Sequence, residues 1–109
     1  MNLLEETINI LDRYGRGPDD VLFVSDDENS TSWENFAKIA DRYNYDEGFG
    51  SREVNQKLMV VGNNWWLERH AYDGSEWWEF KTLPMPKSPS EDGTLWLGNI
   101  YDRSDYYHS

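Results

Sequence analysis

The sequence predicts an α+β fold, with two amphipathic helices packed on one face of a mainly antiparallel sheet of about four strands. Three observations favour this fold: two segments with apolar residues at helical spacing, several short apolar runs bounded by turn residues, and an Asp-Gly pair between two tryptophan-rich runs. The 109 residues suffice for one modest core. We therefore expect a single domain over residues 1–109. It comprises a core over 1–83, a proline-rich crossing segment over 84–93, and a final strand with a loose tail over 94–109.

Both helices are predicted from capping residues and apolar stripes. Asn2 followed by Glu5 marks the start of the first helix, and the glycines and proline of residues 15–18 mark its end. Thr31 followed by Glu34 has the spacing of a capping box at the start of the second helix. The side chains expected to face the core are Leu3, Leu4, Thr7, Ile8, Leu11 and Tyr14 in the first helix, and Trp33, Phe36, Ala37, Ala40 and Tyr43 in the second.

Three short segments outside the tryptophan-rich region are predicted to be strands. Residues 21–24 form an apolar run between acidic turns, which is typical of a buried strand. Residues 58–61 form a second apolar run, and the turn signal Gly-Asn-Asn follows it at 62–64. Residues 94–97 are expected to return as the final strand after the crossing segment, whose prolines favour an extended backbone.

The run from Trp65 to Thr82 is predicted to be a β-hairpin with a two-residue turn at Asp73 and Gly74. A type I′ turn requires positive φ at both central residues, and Asp-Gly accepts this. Because side chains alternate along a strand, each Trp-Trp pair sends one ring to each face. The expected core face carries Trp65, Leu67, Arg69, Ala71, Glu76, Trp78, Phe80 and Thr82, and the opposite face carries Trp66, Glu68, His70, Tyr72, Trp77, Glu79 and Lys81.

The outward rings of Trp66 and Trp77 have two interpretations. Residues 83–90 contain three prolines, and this segment is expected to lie across the rings if they only stabilise the fold. Alternatively, the two rings are aromatic anchors for a protein partner.

The same face is predicted to bring Glu68, His70 and Glu79 within a few ångströms of one another. Directly opposed carboxylates repel, so a nearby group must offset the repulsion unless both point into water. Lys81 or Arg69 is one solution. A bound Zn²⁺ or another divalent metal is the other, because one histidine and two carboxylates form a reasonable ligand set.

Composition excludes several function classes. The 21 acidic and 10 basic residues give a net charge of −11, which opposes direct binding of nucleic acid or anionic lipid. Cysteine is absent, so we expect an intracellular protein without disulfides, and no signal peptide or membrane span is apparent. No nucleophile motif or glycine-rich phosphate loop is legible, so we expect a protein that is not an enzyme and has no catalytic residues.

Most of the net negative charge lies between residues 17 and 47, which hold nine acidic and two basic residues. Such a surface attracts basic protein surfaces and imitates the phosphates of a nucleic acid. Turn formation is the competing explanation, since aspartate is favoured in turns and at helix starts. The acidic residues expected to contact a partner are Asp19, Asp20, Asp26, Asp27, Glu28, Asp46 and Glu47.

Residues 1 to about 85 resemble the small acidic accessory proteins encoded by phages and prophages of Gram-positive bacteria, and in particular the type II-A anti-CRISPR proteins. The stretches that carry the resemblance are DDVLFV at 19–24, TSWENF at 31–36, YDEGFG at 45–50, VVGNNWWLERH at 60–70 and YDGSEWWEFK at 72–81.

The resemblance implies a monomeric inhibitor in the bacterial host cytoplasm. Such a protein binds the basic surface of a CRISPR nuclease, or of another nucleic-acid-handling protein, and blocks loading of guide or target without chemistry. The alternative is a non-enzymatic phage accessory module that uses a metal or aromatic site to recruit another protein. The resemblance assigns no catalytic residues.

Overall fold

The α+β prediction is confirmed by the computed structural model, which describes residues 1–45 and 54–84 together with Leu95, Leu97 and Gly98. Two helices and a five-stranded antiparallel sheet are present in this part of the chain. The elements are α1 (Leu3–Arg13), β1 (Val21–Ser25), β2 (Ser30–Thr31), α2 (Trp33–Ala40), β3 (Met59–Gly62), β4 (Trp65–Tyr72) and β5 (Ser75–Thr82), with one turn of 3-10 helix at Pro18–Asp20.

Helix α1 begins at the predicted cap. The side-chain oxygen of Asn2 accepts a hydrogen bond from the backbone N–H of Glu5 at 3.0 Å, which satisfies one of the free donors of the first turn. Leu3, Thr7 and Leu11 are buried at a spacing of four residues. The prediction that Ile8 also faces the core is wrong, because this buried row lies to one side of it and leaves its side chain 40% exposed.

Helix α2 begins one residue later than the sequence predicted. Its cap is Ser32, whose Oγ accepts from the backbone N–H of Asn35 at 3.1 Å. Thr31 belongs to β2 instead, and its Oγ1 accepts from the side-chain amide of Asn35 at 2.9 Å. Phe36 and Ala40 are the buried residues of α2.

The sheet has the strand order β2-β1-β3-β4-β5 with antiparallel neighbours. Two tight turns connect its last three strands. Asn64 has φ +69° in the first turn, and Asp73 and Gly74 have φ +52° and +85° in the second, which is the backbone that a two-residue hairpin turn requires. The second turn pairs Tyr72 with Ser75, His70 with Trp77, Glu68 with Glu79 and Trp66 with Lys81.

Strand β1 is more exposed than the sequence predicted. Val24 is buried, whereas Leu22 is 65% and Phe23 39% exposed. The pairing with β3 is irregular between Val21 and Phe23, and the two-residue β2 pairs only with the other end of β1. The apolar composition of residues 21–24 therefore does not correspond to burial on both faces of the sheet.

The core lies between the two helices and one face of the sheet. Trp78 donates from its indole Nε1 to Oγ1 of Thr7 at 2.9 Å, which ties β5 to α1. The rings of Tyr14 and Phe80 stack with their centroids 4.2 Å apart. The buried apolar residues are Leu3, Leu11, Val24, Phe36, Ala40, Tyr45, Val54, Val60, Trp65, Leu67 and Trp78.

Several predictions lie outside the described residues. These are the acidic pair Asp46 and Glu47, the crossing segment apart from Pro84 and with it the expected covering of the outward tryptophan rings, positions 94 and 96 of the expected final strand, and the expected tail over 99–109. No helix in the described ranges is long and apolar enough to cross a lipid bilayer.

Candidate functional site

The candidate site is the face of β4 and β5 that points away from the helices. Trp65, Leu67 and Trp78 are buried on the helix side. Their neighbours Trp66 and Trp77 therefore point to the opposite face, where both side chains are half-buried. We call this surface, formed by Trp66, Glu68, His70, Trp77, Glu79 and Lys81, the open face.

Each tryptophan of the open face is held by a carboxylate two residues further along its own strand. Trp66 Nε1 donates to Glu68 Oε1 at 2.8 Å, and Trp77 Nε1 donates to Glu79 Oε2 at 3.0 Å. Side chains two residues apart on a strand lie on the same face, which permits both contacts. The two indole rings are thus fixed in orientation while part of their surface stays accessible.

His70 lies between the two carboxylates and links them. Its Nε2 is 2.7 Å from Glu68 Oε2 and 3.8 Å from Glu79 Oε1. His70 donates to Glu68 when it is protonated, or as the neutral tautomer with the proton on Nε2. Lys81 Nζ lies 3.4 Å from Glu79 Oε1 and offsets the repulsion between the opposed glutamates. Arg69, the other candidate for this role, is buried on the opposite side of the sheet.

The carboxylates of the open face are held in their ionised form. The bond from the Trp66 indole, followed by the bond from His70, lowers the pKa of Glu68 below its ordinary value. The bond from the Trp77 indole is the main cause that lowers the pKa of Glu79, with a smaller effect of Lys81. The two indole groups therefore keep both neighbouring carboxylates ionised down to mildly acidic pH.

We expect the indole N–H signal of Trp66 in an NMR titration to change with a midpoint below 4.5, the ordinary pKa of glutamate. Because the folded pKa is lowered, the bond stabilises the fold above the unfolded pKa, and this contribution is lost as pH falls through the folded pKa. In His70→Val the midpoint for Trp66 should rise, because Glu68 loses a hydrogen-bond donor. The Trp77 signal serves as the internal control. Its midpoint should change less, since His70 has only a minor effect on the pKa of Glu79.

The predicted metal ligands are close together: His70 is hydrogen-bonded to Glu68, and its Nε2 lies 3.8 Å from Glu79 Oε1 without a hydrogen bond. Within residues 1–45 and 54–84, no group of three or more His, Asp or Glu side chains is arranged to hold a metal ion. Metal binding by Glu68, His70 and Glu79 stays a prediction from the sequence.

Five of the predicted acidic residues lie at the two ends of β1. Asp19 and Asp20 lie in the 3-10 turn before the strand, and both are exposed. Asp26 closes the turn after the strand, because its Oδ1 accepts from the backbone N–H groups of Glu28 and Asn29 at 2.8 and 2.7 Å. These two bonds lower the pKa of Asp26. Asp27 and Glu28 are exposed in the same turn, so turn formation accounts for Asp26 but leaves its two acidic neighbours available to a partner.

A buried charged cluster between α1 and the sheet was not predicted. Arg69 Nη1 lies 3.0 Å from Glu6 Oε2 and its Nη2 lies 2.9 Å from Glu76 Oε1. The hydroxyl of Tyr45 donates to Glu6 and accepts from Arg69. Burial, then the bond to Glu6, raises the pKa of Tyr45. The available signal was a charged pair on the core face of the hairpin. The alternation of side chains along the two strands places both Arg69 and Glu76 on that face.

An apolar cavity beside α2 was also missed. It has a volume of about 340 Å³ and opens between α2, the turn after β1 and the residues that precede β3. Ile39 was the available signal, because this large apolar residue of α2 falls outside the predicted inward stripe. Its side chain is 61% exposed at the cavity.

Comparison with known proteins does not assign a family: the chain matches no protein-family model, no curated protein and no solved structure. Its function is inferred from the geometry and charge of the residues described above.

Proposed function

We propose that this protein is a non-enzymatic inhibitor that binds an RNA-guided nuclease stoichiometrically and blocks the loading of guide or target nucleic acid. The observation that carries the proposal is the pairing of each half-exposed indole with a fixed, ionised carboxylate, at Trp66 with Glu68 and at Trp77 with Glu79. A guanidinium group stacks on an indole face and donates charge-assisted hydrogen bonds to a carboxylate. The open face therefore suits an arginine-rich protein surface.

The rigidity of the open face favours tight binding. A side chain that is ordered only on binding loses conformational entropy at that moment, which weakens the affinity. The indole of Trp66 is already oriented by Glu68, and Glu68 is itself held by His70. Trp and Arg contacts of this kind dominate the binding energy of many protein interfaces.

The exposed carboxylates at the two ends of β1 add long-range attraction. Asp19 and Asp20 lie at one end, and Asp27 and Glu28 lie at the other. RNA-guided nucleases hold their nucleic acid in a positively charged channel. Complementary charge raises the rate of encounter and is screened by salt, so we expect the acidic ends to affect association more than dissociation.

The proposal is tested by measuring cleavage of a DNA target by a purified type II-A nuclease and its guide while this protein is titrated in. We expect cleavage to be lost as the protein approaches the nuclease concentration, and the inhibition to weaken at high salt. The double variant Glu68→Gln/Glu79→Gln keeps both indole rings and should raise the half-inhibitory concentration about 10-fold or more, as expected for loss of charged hydrogen bonds to a partner.

Two further pairs of substitutions distinguish an effect of the charges beside β1 from an effect of the net charge of the protein. Asp27→Asn/Glu28→Gln removes two exposed charges near β1, and Asp12→Asn/Glu34→Gln removes two exposed charges from the helices. The first pair should slow association and the second should change it less. Full inhibition by the Glu68/Glu79 variant, or equal effects of the two charge pairs, would contradict the proposed surface.

A recruiting module is the second candidate, and the same open face favours it because an arginine-rich patch is not unique to nucleases. Affinity capture from a bacterial lysate, followed by mass spectrometry, distinguishes the two. A basic protein that is captured by the parent and lost with Glu68→Gln/Glu79→Gln, without any effect on target cleavage, would replace inhibition by recruitment.

A further inference from the structure

The cavity beside α2 has the shape and lining of a site for one apolar side chain. We infer that it receives an apolar side chain from a lysine- or arginine-rich segment of a partner protein. Its volume of about 340 Å³ is at the small end of the range of ligand pockets and is large enough to admit a leucine or an aromatic ring. The inference concerns a surface distinct from the open face, and it holds whether or not the partner is a nuclease.

The floor of the cavity is apolar and already ordered. Val24 of β1 and Ala40 of α2 are each 1% exposed, and Phe36 is 6% exposed. These side chains also belong to the main core, so the floor is held by packing that does not depend on an occupant. An apolar group that enters is therefore removed from water without any need to order the floor.

The mouth of the cavity exposes apolar surface. Ile39 is 61% and Tyr43 38% exposed, and both line the opening. Single exposed apolar residues are common on protein surfaces. Here they adjoin a concave apolar floor, which is the arrangement that an inserted side chain covers.

The rim on the strand side is polar and acidic. Asp26, Asn29, Ser30 and Thr31 line it, and the exposed carboxylates of the same turn follow directly in the chain. Lys38, Arg42 and Lys57 each adjoin a lining residue in the chain, but none of them lines the cavity. Charge complementarity therefore selects an apolar side chain with cationic neighbours over an anionic or neutral segment.

The inference is tested with a short capped peptide that has one central leucine between lysine and serine residues, and with a matched peptide that has alanine at the centre. Binding is followed by ¹⁵N NMR at low salt. We expect the amide signals of cavity-lining residues to shift, and the leucine peptide to bind about 10-fold more tightly than the alanine peptide, as burial of a leucine side chain implies.

Two sets of variants at exposed positions locate the site. Ile39→Ser should weaken binding of the leucine peptide about 5-fold or more, whereas Ile8→Ser, which alters a similarly exposed isoleucine on α1, should change it less than 2-fold. Asp27→Asn/Glu28→Gln should weaken the binding of both peptides and reduce the salt dependence of that binding. Because Ile39 and Ile8 are exposed, both variants should fold, and this is checked by the dispersion of their NMR spectra.

Three outcomes would overturn the inference: equal affinity for the two peptides, shifts confined to the open face, or equal effects of Ile39→Ser and Ile8→Ser. None of these measurements uses a nuclease, so failure of inhibition in the cleavage assay and failure of peptide binding are separate results.

Discussion

Replacing Arg69 with methionine is expected to lower the free energy of unfolding by about 3 to 5 kcal/mol, the usual cost of removing one partner from a buried ion pair. The guanidinium is fully buried and bonds to Glu6 and Glu76, whose side chains are 12% and 3% exposed. Without it, two carboxylates stay close together with little access to water. Burial alone opposes the charge of Arg69, but its bonds to Tyr45 and Glu76 outweigh this and raise its pKa.

Urea denaturation followed by tryptophan fluorescence measures this loss. Arg13→Met is the matched control, because Arg13 is exposed in the last turn of α1, and it should cost less than about 1 kcal/mol. In the Arg69→Met background, Glu6→Gln and Glu76→Gln should recover part of the stability, since they remove the two negative charges that Arg69 no longer neutralises. A loss for Arg69→Met no larger than that for Arg13→Met would show that the cluster does not stabilise the fold.

Gly62→Ala is the second substitution with a large expected effect. A β-carbon at position 62 would overlap the indole ring of Trp65, which lies over this glycine. Trp65 is 3% exposed and packs in the core, so the ring cannot move away without disturbing its neighbours. We expect a loss of about 3 kcal/mol in the free energy of unfolding, at the upper end for overpacking by a small group.

Gly17→Ala is the control for this substitution, because nothing beyond its own chain neighbours lies within 4 Å of the position of its added carbon and its φ of −130° suits any residue. Thermal unfolding of both variants measures the difference. In the double variant Gly62→Ala/Trp65→Leu, the smaller side chain should relieve the overlap, so the combined loss should be smaller than the sum of the two single losses. Strict additivity would contradict the proposed clash.

The fold class was predictable because its signals are local. The Asn2 cap and the four-residue spacing of Leu3, Thr7 and Leu11 act within one helix. The pairing of β4 with β5 follows from the backbone requirements of the two residues Asp73 and Gly74. Such features can be recognised in the sequence without knowing what packs against the helix or the hairpin.

The features that were not predictable depend on contacts between distant segments. The exposure of Leu22 and Phe23 follows from the shortness of β2 and the irregular pairing of β1, neither of which has a composition signal. Strand β2 itself has only two residues, too few for a pattern of alternation.

The sequence predicted which residues share the open face, but not the contacts between them. Alternation along the hairpin places Trp66, Glu68, His70, Trp77 and Glu79 on one face. The hydrogen bonds from each indole to the carboxylate two residues on depend on side-chain rotamers, which periodicity does not specify. The buried cluster around Arg69 joins residues from α1, the segment after α2, and the hairpin, so only the tertiary fold brings it together.

The strand order has a consequence for the kinetics of folding. Strands β3, β4 and β5 are consecutive and joined by two-residue turns, whereas pairing of β1 with β3 closes a loop over residues 26–58. Short loops lose less entropy on closure. We therefore expect the three-stranded meander to form first, so that substitutions within it slow refolding while those in β1 mainly accelerate unfolding.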